Sequence, residues 1–188
     1  MIKSPMNIIM ILSSIKYDSV KIVELIIRIG VNLKKDDYSA FRFAMMNNTL
    51  RTAQIVKLLI ENGSDIHIKE DWYLNIAASN GNFELFQVLI DNGAHIYLNN
   101  TEILIASAKG DSIAIIKLAI SYYCRINCVE LLRLPIKEML VGATKYGKDV
   151  AVKYLLSLNI HHKCDLDKCI NLVTKDNKIL KDILLAKK

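Results

Sequence analysis

The stretch "AASNGNFELFQVLIDNGAHI" at 77–96 carries two Asn-Gly pairs, Asn80-Gly81 and Asn92-Gly93, in a chain that has seven glycines in all. Each pair closes an apolar run, "LNIAASN" and then "FELFQVLIDN". Glycine tolerates the left-handed backbone in which helices commonly end, so each pair reads as a helix stop. Phe83, Phe86, Val88, Leu89 and Ile90 give the second run a broad apolar face at helical spacing. The pattern predicts two short antiparallel helices, the inner one ended by Gly81 and the outer one by Gly93. Such a pair cannot bury both of its faces alone. Stacked neighbours of the same kind are required.

The neighbours are present. "IVKLLIENGSDIHI" at 55–68 matches "LFQVLIDNGAHIYL" at 85–98 position by position, and "IVELIIRIGVNL" at 22–33 matches again. On the inner-helix side "FRFAMMNN" at 41–48, "LNIAASNG" at 74–81 and "ILIASAKG" at 103–110 correspond, which aligns Ala44, Ala77 and Ala106. A fifth copy, "VGATKYGKDVAVKYLLSLNIHH" at 141–162, places Ala143 and Gly147 in the same roles.

This pattern resembles the ankyrin repeat, whose consensus opens T-P-L-H-x-A-A and closes on an outer helix ending L-L-x-x-G-A-D. The resemblance implies an all-α ankyrin-repeat solenoid of about five repeats, over 4–35, 36–69, 70–98, 99–133 and 134–163, with capping helices over 164–188. No copy has T-P-L-H; "SAFR", "WYLN" and "TEIL" stand there instead. Asp37 and Asp71, each before an aromatic residue, are expected to cap the inner helices in its place. That opening, with the Ile/Asn/Lys-rich composition, resembles the ankyrin families of amoeba-infecting giant viruses (mimivirus-like). Copy two has extra residues at "TLRTA", 49–53, and copy four replaces the Asn-Gly stop by Tyr122-Tyr123-Cys124, so its outer helix should end differently.

The net charge of +6 raises the question of nucleic acid, and its distribution answers it. Residues 1–63 carry +4, residues 64–102 carry −5 and residues 103–188 carry +7. An acidic middle between basic ends is a poor duplex track. No Gly-rich phosphate loop, G-x-S-x-G or H-E-x-x-H occurs. Cys124, Cys128, Cys164 and Cys169, with His161 and His162, lack the tight paired spacing of a zinc knuckle and read as reduced thiols. His67 and His95 sit in matching places after outer helices and read as loop residues. The apolar N-terminal "MNIIMIL" is short and runs into a second periodic segment, so it reads as a helix of the array. No uncharged apolar run approaches the roughly 20 residues that span a bilayer.

The expectation is a non-enzymatic, monomeric, cytoplasmic protein without cofactor, metal, small-molecule substrate or membrane partner. The resemblance implies protein–protein recognition through a concave face built from loops and inner helices, with host proteins as partners if the chain is viral. Transferred residue by residue, that face comprises Tyr38, Arg42, Met46, Lys69, Asp71, Trp72, Asn75, Ser79, Asn100, Glu102 and Lys109, with Asn47, Asn80 and Ala108 beside them and Lys145 and Tyr146 continuing it. Two other classes remain open at this level: a substrate adaptor of a larger, ubiquitin-ligase-like complex, and a nucleic-acid binder.

Overall fold

The structure, a computed structural model, describes residues 6–34, 39–67, 72–96, 101–127, 134–159, 163–173 and 177–187. They form twelve helices and no strand. In chain order these are α1 Met6–Lys16, α2 Val20–Arg28, α3 Ser39–Asn47, α4 Thr52–Glu61, α5 Trp72–Ser79, α6 Phe83–Asp91, α7 Glu102–Gly110, α8 Ile113–Asn127, α9 Ile136–Lys145, α10 Asp149–Ser157, α11 Lys163–Leu172 and α12 Lys178–Leu185. Most have eight to eleven residues, too short to persist in water without tertiary packing.

The chain divides into two compact units, Met1–Ile76 with Glu84–Ala94, and Ala77–Phe83 with His95–Lys188. In the first unit inner helix α1 packs on inner helix α3, and outer helix α2 on outer helix α4. In the second, α7, α9 and α11 form the inner layer and α8, α10 and α12 the outer one. The array of stacked helix pairs read from the sequence is therefore the observed architecture.

The backbone turns explain why the period holds. Gly81 and Gly93 have φ of +69° and +95°, the left-handed stops expected from the two Asn-Gly pairs. Gly81 also has an unexpected neighbour. A Cβ built there would lie 2.2 Å from the carbonyl oxygen of Gly110, and one on Gly110 would lie 1.9 Å from that of Ala78. Two backbones meet at that point with no room for a side chain.

The alignment of copies puts the stop of α7 at Gly110, and the structure corrects this by one residue. Gly110 is the last helical residue, and Asp111 takes the left-handed turn at φ +62°. Ser107 and Ala108, fully buried, accordingly occupy the places of Ala77 and Ala78, while Ala106 moves aside. Aspartate tolerates this conformation better than most residues. It also gains a partner: the Asp111 carboxylate accepts a 2.7 Å hydrogen bond from the N–H of Ala151, the third residue of α10. A carboxylate on an orphan donor at a helix start caps that helix and opposes its dipole.

Asp18, at the same place in the first repeat with φ +57°, does the equivalent in the first unit. It accepts from the Thr49 hydroxyl and, at 3.3 Å, from the N–H of Arg51, so the three extra residues of copy two are tied to copy one. In copy four no glycine interrupts α8, which runs fifteen residues to Asn127. Asp37, Asp71 and the stretch 128–133 lie outside the described residues.

Burial follows the repeat with one exception. Ile55, Leu85, Ile115 and Ala151 hold equivalent places on the outer helices and are essentially inaccessible to solvent. Their counterpart in the first pair, Ile22, is 49% exposed. Met10 is likewise 49% exposed, whereas Ala40, Tyr73, Ile103 and Met139 in its place are buried. These two positions face backwards along the stack, and no described helix covers them.

Two mutational outcomes follow. Ile55→Ala should cost about 2–5 kcal/mol in urea unfolding, as for a buried large-to-small change, and Ile22→Ala less than about 1.5 kcal/mol. Asp111→Ala should cost about 2 kcal/mol through lost capping and left-handed strain, whereas Asp111→Asn, which keeps the acceptor and the conformational tolerance, should stay within about 0.5 kcal/mol. Thermal or urea midpoints of the four variants check both.

Candidate partner-binding face

Side chains on an inner helix divide by their place in the repeat. In α3, Ala40, Phe41, Ala44 and Met45 are buried, which leaves Arg42 and Met46 pointing outward. Met46 is 71% exposed, a large apolar side chain held in water on a helix face. In α5, Tyr73 and Leu74 are buried while Trp72 is 46% exposed and Asn75 half-buried. The Tyr73 ring meets Phe41 edge-on, with centroids 5.1 Å apart, and the Trp72 ring lies 6.1 Å from Tyr73. An edge-to-face pair of this kind anchors the framework. Trp72 covers it from the solvent side.

In the second unit Ser79 is exposed, as is Glu102 at the start of α7, and Lys109 near its end is half-buried. Lys145 and Tyr146 end α9, and Tyr146 is 54% exposed. The structure joins residues of two repeats here. The Lys109 ammonium lies 5.5 Å from the centroid of the Tyr146 ring, and that of Lys145 lies 5.9 Å from it. Both are within cation–π range. The Lys109 stem passes close to Gly142. A Cβ there would meet Ile105 at 3.4 Å and the Lys109 stem at 3.7 Å, so the aliphatic stem of Lys109 crosses α9 where that helix has no side chain.

Among the expected face residues, Arg42, Met46, Trp72, Asn75, Ser79, Glu102 and Lys109 are described, and each is exposed or half-buried. Asn47 is half-buried, its side chain donating to the Ile15 carbonyl at 3.2 Å, so it ties α3 to α1. Ala108 is fully buried and belongs to the core, because the register of α7 is one residue later than expected. Tyr38, Lys69, Asp71 and Asn100 lie outside the described residues. Gly142 is absent from the residues that the sequence singles out. Its signal is a glycine inside a helical run, away from either stop.

No cluster of three or more His, Cys, Asp or Glu is placed to hold a metal among the described residues. His67 and His95 are exposed loop residues. Cys124 and Cys169 are free thiols, and burial pushes the Cys124 thiol above its usual range, away from the reactive thiolate. No described helix is long and apolar enough to cross a membrane.

Framework and face separate by a simple test. Tyr73→Ala should destabilise by about 3–5 kcal/mol, as for other buried aromatic truncations, and Trp72→Ala by less than about 1.5 kcal/mol. Tryptophan emission offers a second check: Trp72 is the only indole, so the wild-type maximum should fall between the buried and fully solvated limits.

Comparison with known proteins agrees with this geometry. Residues 71–98 match the family model of the ankyrin repeat. The chain is 28% identical over 141 residues to an ankyrin repeat protein of Acanthamoeba polyphaga mimivirus, covering 75% of this chain and 37% of that protein. It is 25% identical over 173 residues to a second ankyrin repeat protein of the same virus, covering 89% and 50%. The chain thus spans half or less of the length of these relatives. The crystal structure of the human ASB11 ankyrin repeat domain superimposes with a TM-score of 0.61 over 99% of this chain and 98% of that one, at 15% sequence identity.

Proposed function

We propose that this ankyrin-repeat chain, homologous to mimivirus ankyrin proteins, is a non-catalytic module that binds a partner protein through the outward positions of its inner helices. The observation that carries the reading is the exposure of Met46 and Trp72 on helices whose framework residues Ala40, Phe41, Ala44, Met45, Tyr73 and Leu74 are buried. Large side chains with apolar bodies, exposed on a helix face, are the kind that become interface anchors. A preformed helix face also loses little conformational freedom on docking. The free thiols of Cys124 and Cys169 support a cytoplasmic setting. The kinship with mimivirus proteins supports a viral product acting on host proteins.

Affinity capture from host extract with the full chain, followed by direct binding of the purified partner, tests this. Arg42→Ala, Met46→Ala and Trp72→Ala combined should preserve helical circular dichroism and weaken binding by about tenfold or more. Lys57→Ala with Glu61→Ala, exposed positions on outer helix α4, should leave binding unchanged. Unchanged affinity of a folded triple variant contradicts the assignment.

A further inference from the structure

The ends of α7 and α9 hold an arrangement that stacking alone does not require. Lysine at the end of a helix is ordinary, because the C-terminal carbonyls favour a cation. Lys109 does not stay over its own helix end. Its stem lies across α9 at Gly142, and its ammonium reaches the ring of Tyr146 one turn further on. Equivalent places on the other inner helices hold Ser13, Phe43, Ile76 and Ala106, so only this copy omits the side chain. A glycine inside a helix costs about 1 kcal/mol relative to alanine, which makes the omission notable. The result is two ammonium groups within 6 Å of one half-exposed aromatic ring.

From this geometry we infer that Lys109, Lys145 and Tyr146 form a docking point for an acidic segment of the partner protein. The inference rests on the protein-binding reading above and specifies the chemistry of one contact. A carboxylate placed between the two ammonium groups gains two charge-assisted hydrogen bonds, and the exposed ring edge receives an adjacent apolar side chain. The region is suited to such a partner in charge, since residues 103–188 carry +7. Continuous phosphate is a worse match. Glu102 and Glu138 lie at the opposite ends of the same two helices, about 10 Å away along the axis at the helical rise, and would repel a backbone running over the face. A nucleic-acid track needs a longer uninterrupted row of cations.

The test uses the full chain and three fluorescein-labelled probes of equal length: a peptide of alternating glutamate and leucine, its lysine–leucine counterpart, and single-stranded RNA. Anisotropy titrations should show binding of the acidic peptide alone, weakening as salt is raised. Lys109→Gln with Lys145→Gln should reduce that binding tenfold or more, and Tyr146→Leu should reduce it severalfold. Gly142→Met, which fills the notch and displaces the Lys109 stem, should weaken it without removing a charge. Circular dichroism and urea midpoints establish that each variant is folded; where Gly142→Met unfolds, the glutamine pair alone decides. No binding of the acidic peptide, equal binding by the glutamine pair, or RNA binding at least as tight overturns the inference. Capture of a partner that depends on Arg42, Met46 and Trp72 but not on the lysines would leave the general protein-binding reading standing and reject this one alone.

Discussion

Each repeat depends on the one residue that turns the chain left-handed at the end of its inner helix. That residue reverses the chain within two positions, so the outer helix returns along the inner one and each unit stays thin enough to stack. Asp18, Asn48, Gly81, Asp111 and Gly147 make these turns. Glycine does so without steric cost, while aspartate and asparagine accept a modest strain. Aspartate offsets that strain by reaching into the next repeat, as Asp111 does at Ala151 and Asp18 does at Thr49 and Arg51. The turn thus shapes a repeat and, in these two copies, also fastens it to its successor.

A consequence is the division between residues that repeat and residues that do not. The inner-helix series Ile11, Phe41, Leu74, Leu104 and Leu140 is buried throughout, and its chemistry hardly varies. The outward series Lys16, Met46, Ser79, Lys109 and Lys145 varies freely because stacking makes no demand on it. The proposed binding function rests on that second series. The local exceptions to regularity, Gly142 above all, are informative for the same reason: they alter the surface at a place where the framework gains nothing.

Much of this was legible in the sequence, for a physical reason. Short helices ended by glycine and repeated at a nearly fixed interval leave few ways to bury their apolar faces, so "NG" at 80–81 and 92–93 together with its echoes points to the architecture. The error at Gly110 has an equally physical origin. Treating glycine as the sole left-handed residue places the stop one position early and turns buried Ala108 outward. Asp111 carries the turn, and its second role as a cap for α10 depends on a residue forty positions away, which no local pattern reveals. A similar separation in sequence hides the Lys109–Tyr146 contact. Each residue is legible as surface, while the notch that joins them requires two stacked helices.

The contact between Ala78, Gly81 and Gly110 offers the sharpest point of refutation. If backbones rather than side chains set the spacing there, a single methyl group at Gly110 cannot be accommodated, although it would raise the helix propensity of α7 by about 1 kcal/mol. Equilibrium urea unfolding of Gly110→Ala decides the matter. The expected result is a lower midpoint and a net loss of about 1–3 kcal/mol, the range for forced overpacking. A midpoint equal to or above that of the wild type would show that the two backbones do not meet, and would contradict the stacking described for the second unit.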